Sequence, residues 1–517
     1  MTMNKSHINL TLNDILTVLK LPLRDEDINI SNVTIDSRTI QPGSLFIAIE
    51  GHQFNGHDYV QEAFKKGALA AIISQENVIS PDDTKLIKVD STLDALQKLA
   101  YFKRKQFSGP AIAITGSAGK TTTKEMLAHV LKEFGKTVAS KDSFNNHWGV
   151  PLTLLDLTSD TEFLVVEIGM NKPGEIEPLS KLAEPNIAII TSIGEAHIGC
   201  FETIHNIAQE KASICKGLTY SANQRMIKSG YAVYSAEITC KEDIDAVARE
   251  YKVINVSADS RSLAAVHLVE MREVVTEERS ETHVTIDIEG TKHSYILPLI
   301  GFHFVQNSFL VIAVCRLLSL DITKVCKFFE TFQAPCGRGN KYNLVLPDNR
   351  QIMLIDDAYN ANPLSIKVGL QALSTYFQYY SKLETNPKEW VKNKISVHPN
   401  DQNYSKNLAL RKSRKIIVLG EMLELGKHSQ HFHELIYKLI QENQIDMVYC
   451  CGQEMSHLFK ILPLNIKGLH ANDPHQLVPH LEAHIKDGDI IYVKGSKKSR
   501  VSVVVDHFFK LCNVLGK

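Results

Sequence analysis

The distribution of apolar residues predicts short buried strands that alternate with helices over the middle of the chain. Mainly apolar runs lie at 111–115, 163–168 and 187–192, and helical patterns separate them. Runs of this kind are typical of parallel strands buried on both faces, which need helical connections. The segment 284–297 instead alternates apolar and polar residues, which predicts an antiparallel excursion. This part of the chain is therefore predicted to be an α/β domain.

The same pattern predicts two further domains, because 517 residues suggest about three domains of ~150 residues each. Residues 1–108 are predicted to form a small N-terminal α/β domain, and the polar stretch 103–110 is predicted to be a linker. The central domain is predicted to span 109–333. Residues 334–517 are predicted to form a C-terminal Rossmann-like α/β domain, with strands near 352–355, 415–419, 447–450 and 489–493.

A polar, basic segment rich in Asn and Lys interrupts the third domain between Gln378 and Arg414. One interpretation is a patch for nucleic acid or a membrane surface, and the other is a solvated loop insertion. We favour the loop, because the segment lacks Gly/aromatic alternation and interrupts a strand–helix–strand unit.

Composition excludes several classes of protein. The 57 basic and 58 acidic residues nearly cancel, which predicts neither a nucleic-acid partner nor a membrane-surface partner. The nine cysteines are scattered, which favours reduced thiols. The N-terminus lacks the apolar core of a signal peptide, and no apolar segment is long enough to span a bilayer. We expect a cytoplasmic protein without stable membrane insertion, and a monomer.

The most informative motif follows the apolar run 111–115, where a Gly-rich turn leads into a helical pattern. Glycines let backbone N–H groups surround phosphate oxygens, and the helix points its positive end at the same anion. The alternative is a strand–turn–helix with no ligand. The order of strand, loop, Lys and Thr favours a P-loop ATPase domain, although the loop is shorter than the usual one. The loop residues are Gly116, Ser117, Ala118, Gly119, Lys120, Thr121 and Thr122.

Further polar residues come at or just after the ends of predicted strands, where ligands of open α/β sheets bind. Glu167 can ligate Mg²⁺ or be a solvated carboxylate, and His197 is a candidate catalytic residue or a structural histidine. The segment 356–363 can bind a ribose or a cation, or be an Asn/Asp-rich turn that begins a helix. By composition alone, Lys211 is a solvated lysine on a helix.

These motifs, in this order, resemble those of the Mur ligases, the ATP-dependent amide ligases of peptidoglycan precursor synthesis and hence of cell-wall biogenesis, cell shape and cell division. The motifs at 356–363 and 419–426 are typical of the branch that adds a dipeptide. The resemblance covers nearly the whole chain, at 34–38, 116–122, 145–155, 167–171, 196–211, 337–338, 356–363, 419–426 and 493–496.

The resemblance implies a role for each matching residue. Lys120 would hold the γ-phosphate, Thr121 and Glu167 would bind Mg²⁺, and His197 would serve a second Mg²⁺. Lys211 would be carbamylated by CO₂, which requires a neutral amine and hence a lowered pKa. The remaining implied contacts are Arg338 with the ATP phosphates, Asp357 and Tyr359 with the nucleotide, Asn307 near adenine, Ser37 and Arg38 at the UDP end of the precursor, and Asn145 and Asn146 along the muramoyl-peptide channel.

The implied substrates are ATP, UDP-N-acetylmuramoyl-tripeptide and D-alanyl-D-alanine. The tripeptide carboxylate would attack the γ-phosphate to give an acyl phosphate, and the dipeptide amine would displace phosphate. The C-terminal domain would bind the dipeptide and close over the central domain, since the acyl phosphate must be kept from water.

The chain departs from the family pattern at several positions. Ser143 replaces a usual Asn, and Phe302 and Phe304 stand within a segment that normally reads Gly-Arg-His-Asn near adenine. Three alternatives remain: another Mur-type ligase or a folylpolyglutamate synthase, a non-catalytic nucleotide-binding paralogue, and a generic P-loop kinase or GTPase.

Overall fold

The computed structural model describes residues 10–51, 54–76, 78, 80, 82–219, 230–276, 279–385 and 413–512. Its elements form three α/β units, as the apolar pattern predicts. Each unit has its own mostly parallel sheet, and the exact boundaries at 108/109 and 333/334 stay predictions.

The N-terminal unit consists of a four-stranded parallel sheet and a two-stranded antiparallel ribbon. The longest helix begins at Ser91, whose hydroxyl caps it by accepting from the Asp94 N–H at 3.1 Å. The strands are β1 (Leu10–Thr11), β2 (Asn29–Ile30), β3 (Asn32–Thr34), β4 (Ser44–Ile47), β5 (Ala70–Ile73) and β6 (Leu86–Lys88), and the helices are α1 (Leu12–Leu19), α2 (Val60–Lys65) and α3 (Thr92–Gln106).

The linker prediction is wrong over its first half, because α3 continues to Gln106. Lys103 and Arg104 are buried on this helix, and their cationic groups donate to backbone carbonyls of the central unit. A run of charged residues predicts a solvated segment. Long basic side chains, however, can bury their aliphatic stems while their cationic groups hydrogen-bond to carbonyls.

The central unit contains a nine-stranded sheet in the order β15-β14-β13-β12-β11-β10-β7-β9-β8. The predicted antiparallel excursion is confirmed, since only β13–β15 pair antiparallel. The strands are β7 (Ala111–Thr115), β8 (Thr137–Ala139), β9 (Phe163–Glu167), β10 (Ile187–Ile190), β11 (Tyr231–Ser235), β12 (Lys252–Ser257), β13 (Val266–Val275), β14 (Ser280–Ile288) and β15 (Thr291–Leu297).

Helices cover both faces of this sheet, so its central strands are apolar on both sides. Ile112 and Ile114 of β7 belong to the cluster that includes buried residues of α4 and α10, whereas Ala111 and Ala113 belong to the cluster on the other face. The helices are α4 (Lys120–Lys132), α5 (Gly149–Leu155), α6 (Ile176–Ala183), α7 (Ile198–Phe201), α8 (Ile204–Ala212), α9 (Lys241–Ala248), α10 (Phe302–Leu317) and α11 (Ile322–Phe328).

The C-terminal unit contains a six-stranded sheet in the order β16-β17-β21-β18-β19-β20, in which only β16 is antiparallel to its neighbour. The strands are β16 (Asn340–Val345), β17 (Gln351–Asp357), β18 (Lys415–Gly420), β19 (Met447–Cys451), β20 (Lys467–Ala471) and β21 (Ile490–Lys494), and the helices are α12 (Pro363–Thr385), α13 (Ser429–Glu442), α14 (Met455–Ile461), α15 (Pro474–His484) and α16 (Ser502–Leu511).

The predicted loop 378–414 is wrong at its beginning, because α12 continues to Thr385. Residues 386–412 of that segment lie outside the described residues, so the rest of the prediction stays open. Within the described part of the chain, no helix combines the length and the apolar character needed to cross a bilayer.

Candidate active site at the junction of two domains

A cavity of about 590 Å³ lies between the central and C-terminal units, at the carboxyl ends of β7, β9 and β10. Ligands of open α/β sheets bind at this edge, next to the carboxyl ends of the strands. The cavity is lined by Ser117, Ala118, Gly119, Lys120, Thr121, Thr122, Asn145, Asn146, Glu167, His197, Lys211, Asn307, Arg338, Asp357 and Tyr359, all of which the sequence predicts as site residues.

The P-loop has the backbone geometry that its glycines permit. Gly116 and Gly119 adopt φ values of 150° and 83°, and a Cβ at Gly116 would lie 1.9 Å from the Thr191 Oγ1 atom. The Ser117 N–H donates to the Ser192 carbonyl at 2.8 Å, which fixes the loop against the end of β10. Helix α4 begins at Lys120, so its N-terminus faces the cavity and can attract an anion.

Glu167 ends β9 inside the cavity and is 1% exposed. Asn145 Nδ2 donates to its Oε1 at 2.8 Å, while its Oε2 is buried without a hydrogen-bond partner among the described atoms. A buried carboxylate oxygen is costly unless a donor or a cation compensates it. Glu167 and Thr121 line the same cavity and supply oxygen ligands that suit Mg²⁺, so these residues fit the implied metal.

Lys211 is 1% exposed, so its interpretation as a solvated lysine is wrong. Its Nζ lies 3.8 Å from the Met170 sulfur, and burial together with the positive charge of Lys120 lowers the pKa of Lys211 well below its ordinary value. This lowering of the pKa favours the neutral amine that carbamylation requires.

His197 begins α7 in the left-handed backbone region, with a φ of 65°. Its Nδ1 contacts the carboxylate of Glu424, a residue of the C-terminal unit. This contact lowers the pKa of Glu424. The imidazole therefore lies between the two domains and is held by both.

The C-terminal unit supplies a cation and an aromatic ring. The Arg338 guanidinium stacks on the Tyr359 ring at 4.2 Å and donates to Thr121 Oγ1 at 3.2 Å. The Tyr359 and Ser143 hydroxyls are 2.6 Å apart. Ser143, where the family usually has Asn, thus makes a contact between the two domains.

Asp357 faces the cavity but is already paired within its own unit. Lys494 Nζ lies 2.6 Å from its Oδ2, and the Tyr492 hydroxyl donates to the same oxygen at 2.7 Å. These two contacts fix the carboxylate, so Asp357 is available to a nucleotide only through its other oxygen.

The predicted adenine side of the cavity contains Asn307 and His303. The Asn307 amide oxygen lies 2.9 Å from the position of a Cβ at Gly119, so a larger residue there would meet this amide. Burial lowers the pKa of His303 to about 4, which keeps its ring neutral. Phe304 is buried and lines the cavity with an apolar ring, whereas Phe302 is partly exposed and does not line it.

Two predicted substrate residues lie outside the cavity. The Ser37 carbonyl accepts from Lys66 Nζ at 3.0 Å within the N-terminal unit, and the side chain of Arg38 is 84% exposed beside Asp36. The structure therefore does not bring Ser37 and Arg38 to the phosphate site, and their role stays a prediction.

A separate group of potential metal ligands lies between α8 and α9. His205 Nδ1 and Asp243 Oδ2 are 2.7 Å apart and form an ion pair, while Gln209 donates to the other carboxylate oxygen. Cys240 is their third neighbour. Because the imidazole and the carboxylate satisfy each other, we assign no metal to this group.

Three residues of the site were not assigned from the sequence. Glu424 contacts His197, the Asn362 amide donates to the Ser117 carbonyl at 3.1 Å, and Lys494 fixes Asp357. All three lie within motifs that the resemblance covers. Their roles were missed because each acts across a contact between elements that are distant in the chain.

Together these features define a three-domain α/β protein with a phosphate-binding loop at the junction of two domains. Three family models match the chain: the Mur ligase family catalytic domain at 29–104, the Mur ligase middle domain at 114–315 and the Mur ligase glutamate ligase domain at 402–497. The chain belongs to the Mur ligase family.

The similar proteins are named for one branch of this family. The UDP-N-acetylmuramoyl-tripeptide–D-alanyl-D-alanine ligase of Rickettsia prowazekii is 30% identical, with 93% of this chain and 96% of that protein covered. The enzyme of the same name from Escherichia coli is 28% identical, with 96% and 98% covered.

Solved structures agree with the fold. MurF from Acinetobacter baumannii has a TM-score of 0.77 at 24% identity, with 97% of this chain and 99% of that chain covered. MurF ligase from Thermotoga maritima in complex with ADP has a TM-score of 0.71 at 25% identity, with 93% and 98% covered.

Proposed function

We propose that this protein is an ATP-dependent amide ligase that joins D-alanyl-D-alanine to UDP-N-acetylmuramoyl-tripeptide through an acyl phosphate. The observation that carries the proposal is the junction cavity, which is lined by the P-loop, by Glu167 with a buried carboxylate oxygen that has no hydrogen-bond partner among the described atoms, and by the buried Lys211. Relatives named for this reaction match over more than nine-tenths of the chain. A cytoplasmic location is part of the proposal, since ATP is a substrate.

In this proposal the chain's own residues bring two anions together. The P-loop N–H groups and Lys120 hold the ATP phosphates, and Arg338 adds a second cation from the C-terminal domain. The tripeptide carboxylate attacks the γ-phosphorus and ADP leaves, so the acyl carbon carries phosphate. The free amine of the dipeptide then attacks that carbon, and phosphate departs with the bonding electrons.

Thr121 and Glu167 would hold one Mg²⁺, and His197 would serve a second. Bound Mg²⁺ would neutralise the negative charge that develops on the phosphate oxygens. Carbamylation would convert the buried amine of Lys211 into an anionic group beside Lys120, which would compensate the charge of that lysine. Both groups belong to the proposal.

The dipeptide branch is favoured over another Mur-type ligase or a folylpolyglutamate synthase by the motifs at 356–363 and 419–426. Residues of both motifs make contacts at the cavity. The Asn362 amide donates to the Ser117 carbonyl of the P-loop, and Glu424 contacts His197. The presence of Lys120, Glu167 and Lys211 in one cavity argues against a non-catalytic paralogue.

The test is phosphate release from the purified protein with ATP, Mg²⁺, UDP-N-acetylmuramoyl-tripeptide and D-alanyl-D-alanine, each omitted in turn. We expect release only when all four are present, and at least about a 100-fold loss in Lys120→Ala, because a cation at the transferring phosphate is removed. Lys132→Ala, at the far end of α4, is the matched control. Release without the dipeptide, or none at all, would contradict the proposal.

A further inference from the structure

The contact between His197 and Glu424 joins two domains at the edge of the reaction cavity. His197 precedes α7 of the central domain, and Glu424 lies in the loop after β18 of the C-terminal domain. The His197 Nδ1 atom contacts the Glu424 Oε2 atom. Both residues adopt the left-handed backbone region, with φ values of 65° and 64°. Both residues of this one contact therefore have an unfavourable backbone conformation.

Backbone contacts beside this pair fix its geometry. The Gly199 N–H donates to the Glu424 carbonyl at 3.0 Å. A Cβ at Gly199 would lie 2.6 Å from the Gly426 nitrogen, so the two backbones touch directly. Because both glycines are needed for this approach, the loop 419–426 can seat only when the two domains are closed against each other.

We propose that Glu424 is a positioning residue that orients the His197 imidazole when the C-terminal domain closes, so that His197 is competent only in the closed enzyme. A carboxylate at Nδ1 favours the tautomer that carries its proton on Nδ1. That tautomer leaves the Nε2 lone pair free to accept a proton or to ligate a cation. In the open enzyme this partner would be withdrawn.

This inference rests on the proposed ligase function for its kinetic test, but its structural consequence can be measured without turnover. The carboxylate should matter for the catalytic step rather than for nucleotide binding, because among the described residues Glu424 contacts His197 and not the P-loop. We expect Glu424→Ala to lower kcat about 10- to 100-fold, as loss of a carboxylate behind a functional histidine does, with the KM for ATP changed less than about threefold.

Comparing Glu424→Gln with Glu424→Ala separates the effect of the carboxylate charge from the effect of a hydrogen-bond acceptor at this position. In Glu424→Gln the amide oxygen can still accept from Nδ1–H, so a smaller loss than in Glu424→Ala is expected. Glu442→Gln is the matched control, because it removes one exposed carboxylate of the same domain, paired only with Lys438. The double variant Glu424→Ala/His197→Ala should be no slower than His197→Ala, since Glu424 acts through His197. Additive losses would overturn the proposal.

The second measurement is the tautomer of the His197 imidazole. In ¹⁵N-histidine-labelled protein, the His197 signal, assigned by its absence in His197→Gln, should show the Nδ1–H tautomer and change in Glu424→Ala. An unchanged His197 signal together with an unchanged kcat would overturn the inference. If the wild-type protein released no phosphate, the proposed function would fail, while the tautomer measurement would still decide the role of Glu424.

Discussion

Single residues at the junction cavity show how burial changes the chemistry of a side chain. Lys211 lies on a helix whose sequence reads as solvated, yet it is buried and its pKa lies well below the ordinary value. Desolvation is the largest cause, because a buried ammonium loses its hydration. Glu167 is the case of a buried acid. One of its carboxylate oxygens is buried without a hydrogen-bond partner among the described atoms, so this oxygen attracts a cation. These two environments distinguish reactive residues from ordinary surface charges.

The prediction at this scale concerns carbamylation of Lys211. With ¹³C-bicarbonate, the wild-type protein should show a carbamate carbon signal that is missing in Lys211→Ala, because a neutral buried amine reacts with CO₂. Activity of Lys211→Ala should fall at least about 100-fold, since an anionic group at the reaction centre is lost. Lys216→Ala, an exposed lysine a few residues later, is the control. Full activity in Lys211→Ala without a carbamate signal in the wild type would refute the role.

Helix α3 shows how one element joins two domains. It belongs to the N-terminal unit, but Lys103 Nζ donates to the Leu157 carbonyl at 2.6 Å and Arg104 donates to the Ala183 carbonyl at 2.6 Å. The end of the helix is thereby anchored in the central unit. Burial lowers the pKa of Lys103 to about 8 from an ordinary value of 10.5.

This shift predicts a pH-dependent stability. The unfolded chain binds the Lys103 proton more tightly than the folded chain, so unfolding takes up a proton between about pH 8 and 10.5. The free energy of unfolding therefore rises with pH across that window, by up to about 3 kcal/mol. In Lys103→Met this rise should be absent, as measured by urea unfolding at pH 7.5 and pH 10.

The control for this measurement is Lys105→Met on the exposed side of the same helix. Lys105 pairs with Glu184 at 2.5 Å, which raises the pKa of Lys105, so its contribution to stability is lost as pH rises. That loss begins only above the ordinary pKa of 10.5, so Lys105→Met should keep the wild-type rise in stability between pH 7.5 and pH 10, whereas Lys103→Met should not. Equal pH dependence in all three proteins would contradict the assignment.

At the scale of the whole molecule, several contacts between the central and C-terminal units hold them closed around the cavity. They include side chains and backbone from both units. Those within or beside motifs of the reaction site are Arg338–Thr121, Tyr359–Ser143, Asn362–Ser117, His197–Glu424 and the Gly199 N–H with the Glu424 carbonyl. A cavity closed in this way can exclude water from an acyl phosphate.

Closure predicts an effect of Gly199→Ala. The added Cβ would lie 2.6 Å from the Gly426 nitrogen and 2.9 Å from the Glu424 oxygen, so the two domains must separate slightly. We expect kcat to fall about 10- to 100-fold, because misplacement by an ångström spoils alignment of the reacting groups. Small-angle scattering with a non-hydrolysable ATP analogue should show a larger radius of gyration than in the wild type.

The exposed neighbour Cys200 provides the control for this experiment, since Cys200→Ala adds no atom at the contact. Its scattering and kcat should match the wild type. If Gly199→Ala scattered and turned over like Cys200→Ala, closure through this contact would play no part in the reaction.

The sequence by itself determined the α/β class, the buried strands β7, β9 and β10, the P-loop and the residues that the family motifs carry. These features are local, since they depend on the periodicity of neighbouring residues and on short fixed spacings. The same local logic was wrong for the linker at 103–110 and for the beginning of the loop at 378–414. There the helices α3 and α12 simply continue.

Only the tertiary structure decided which distant residues meet. It buried Lys211 beside Lys120, placed Glu424 against His197, and left Arg38 exposed away from the cavity. Such contacts depend on how sheets and domains pack, and a pKa depends on what surrounds the group in space. Neither packing nor desolvation is encoded in a short stretch of sequence, which is why the chemistry of the site emerged only from the closed arrangement of two domains.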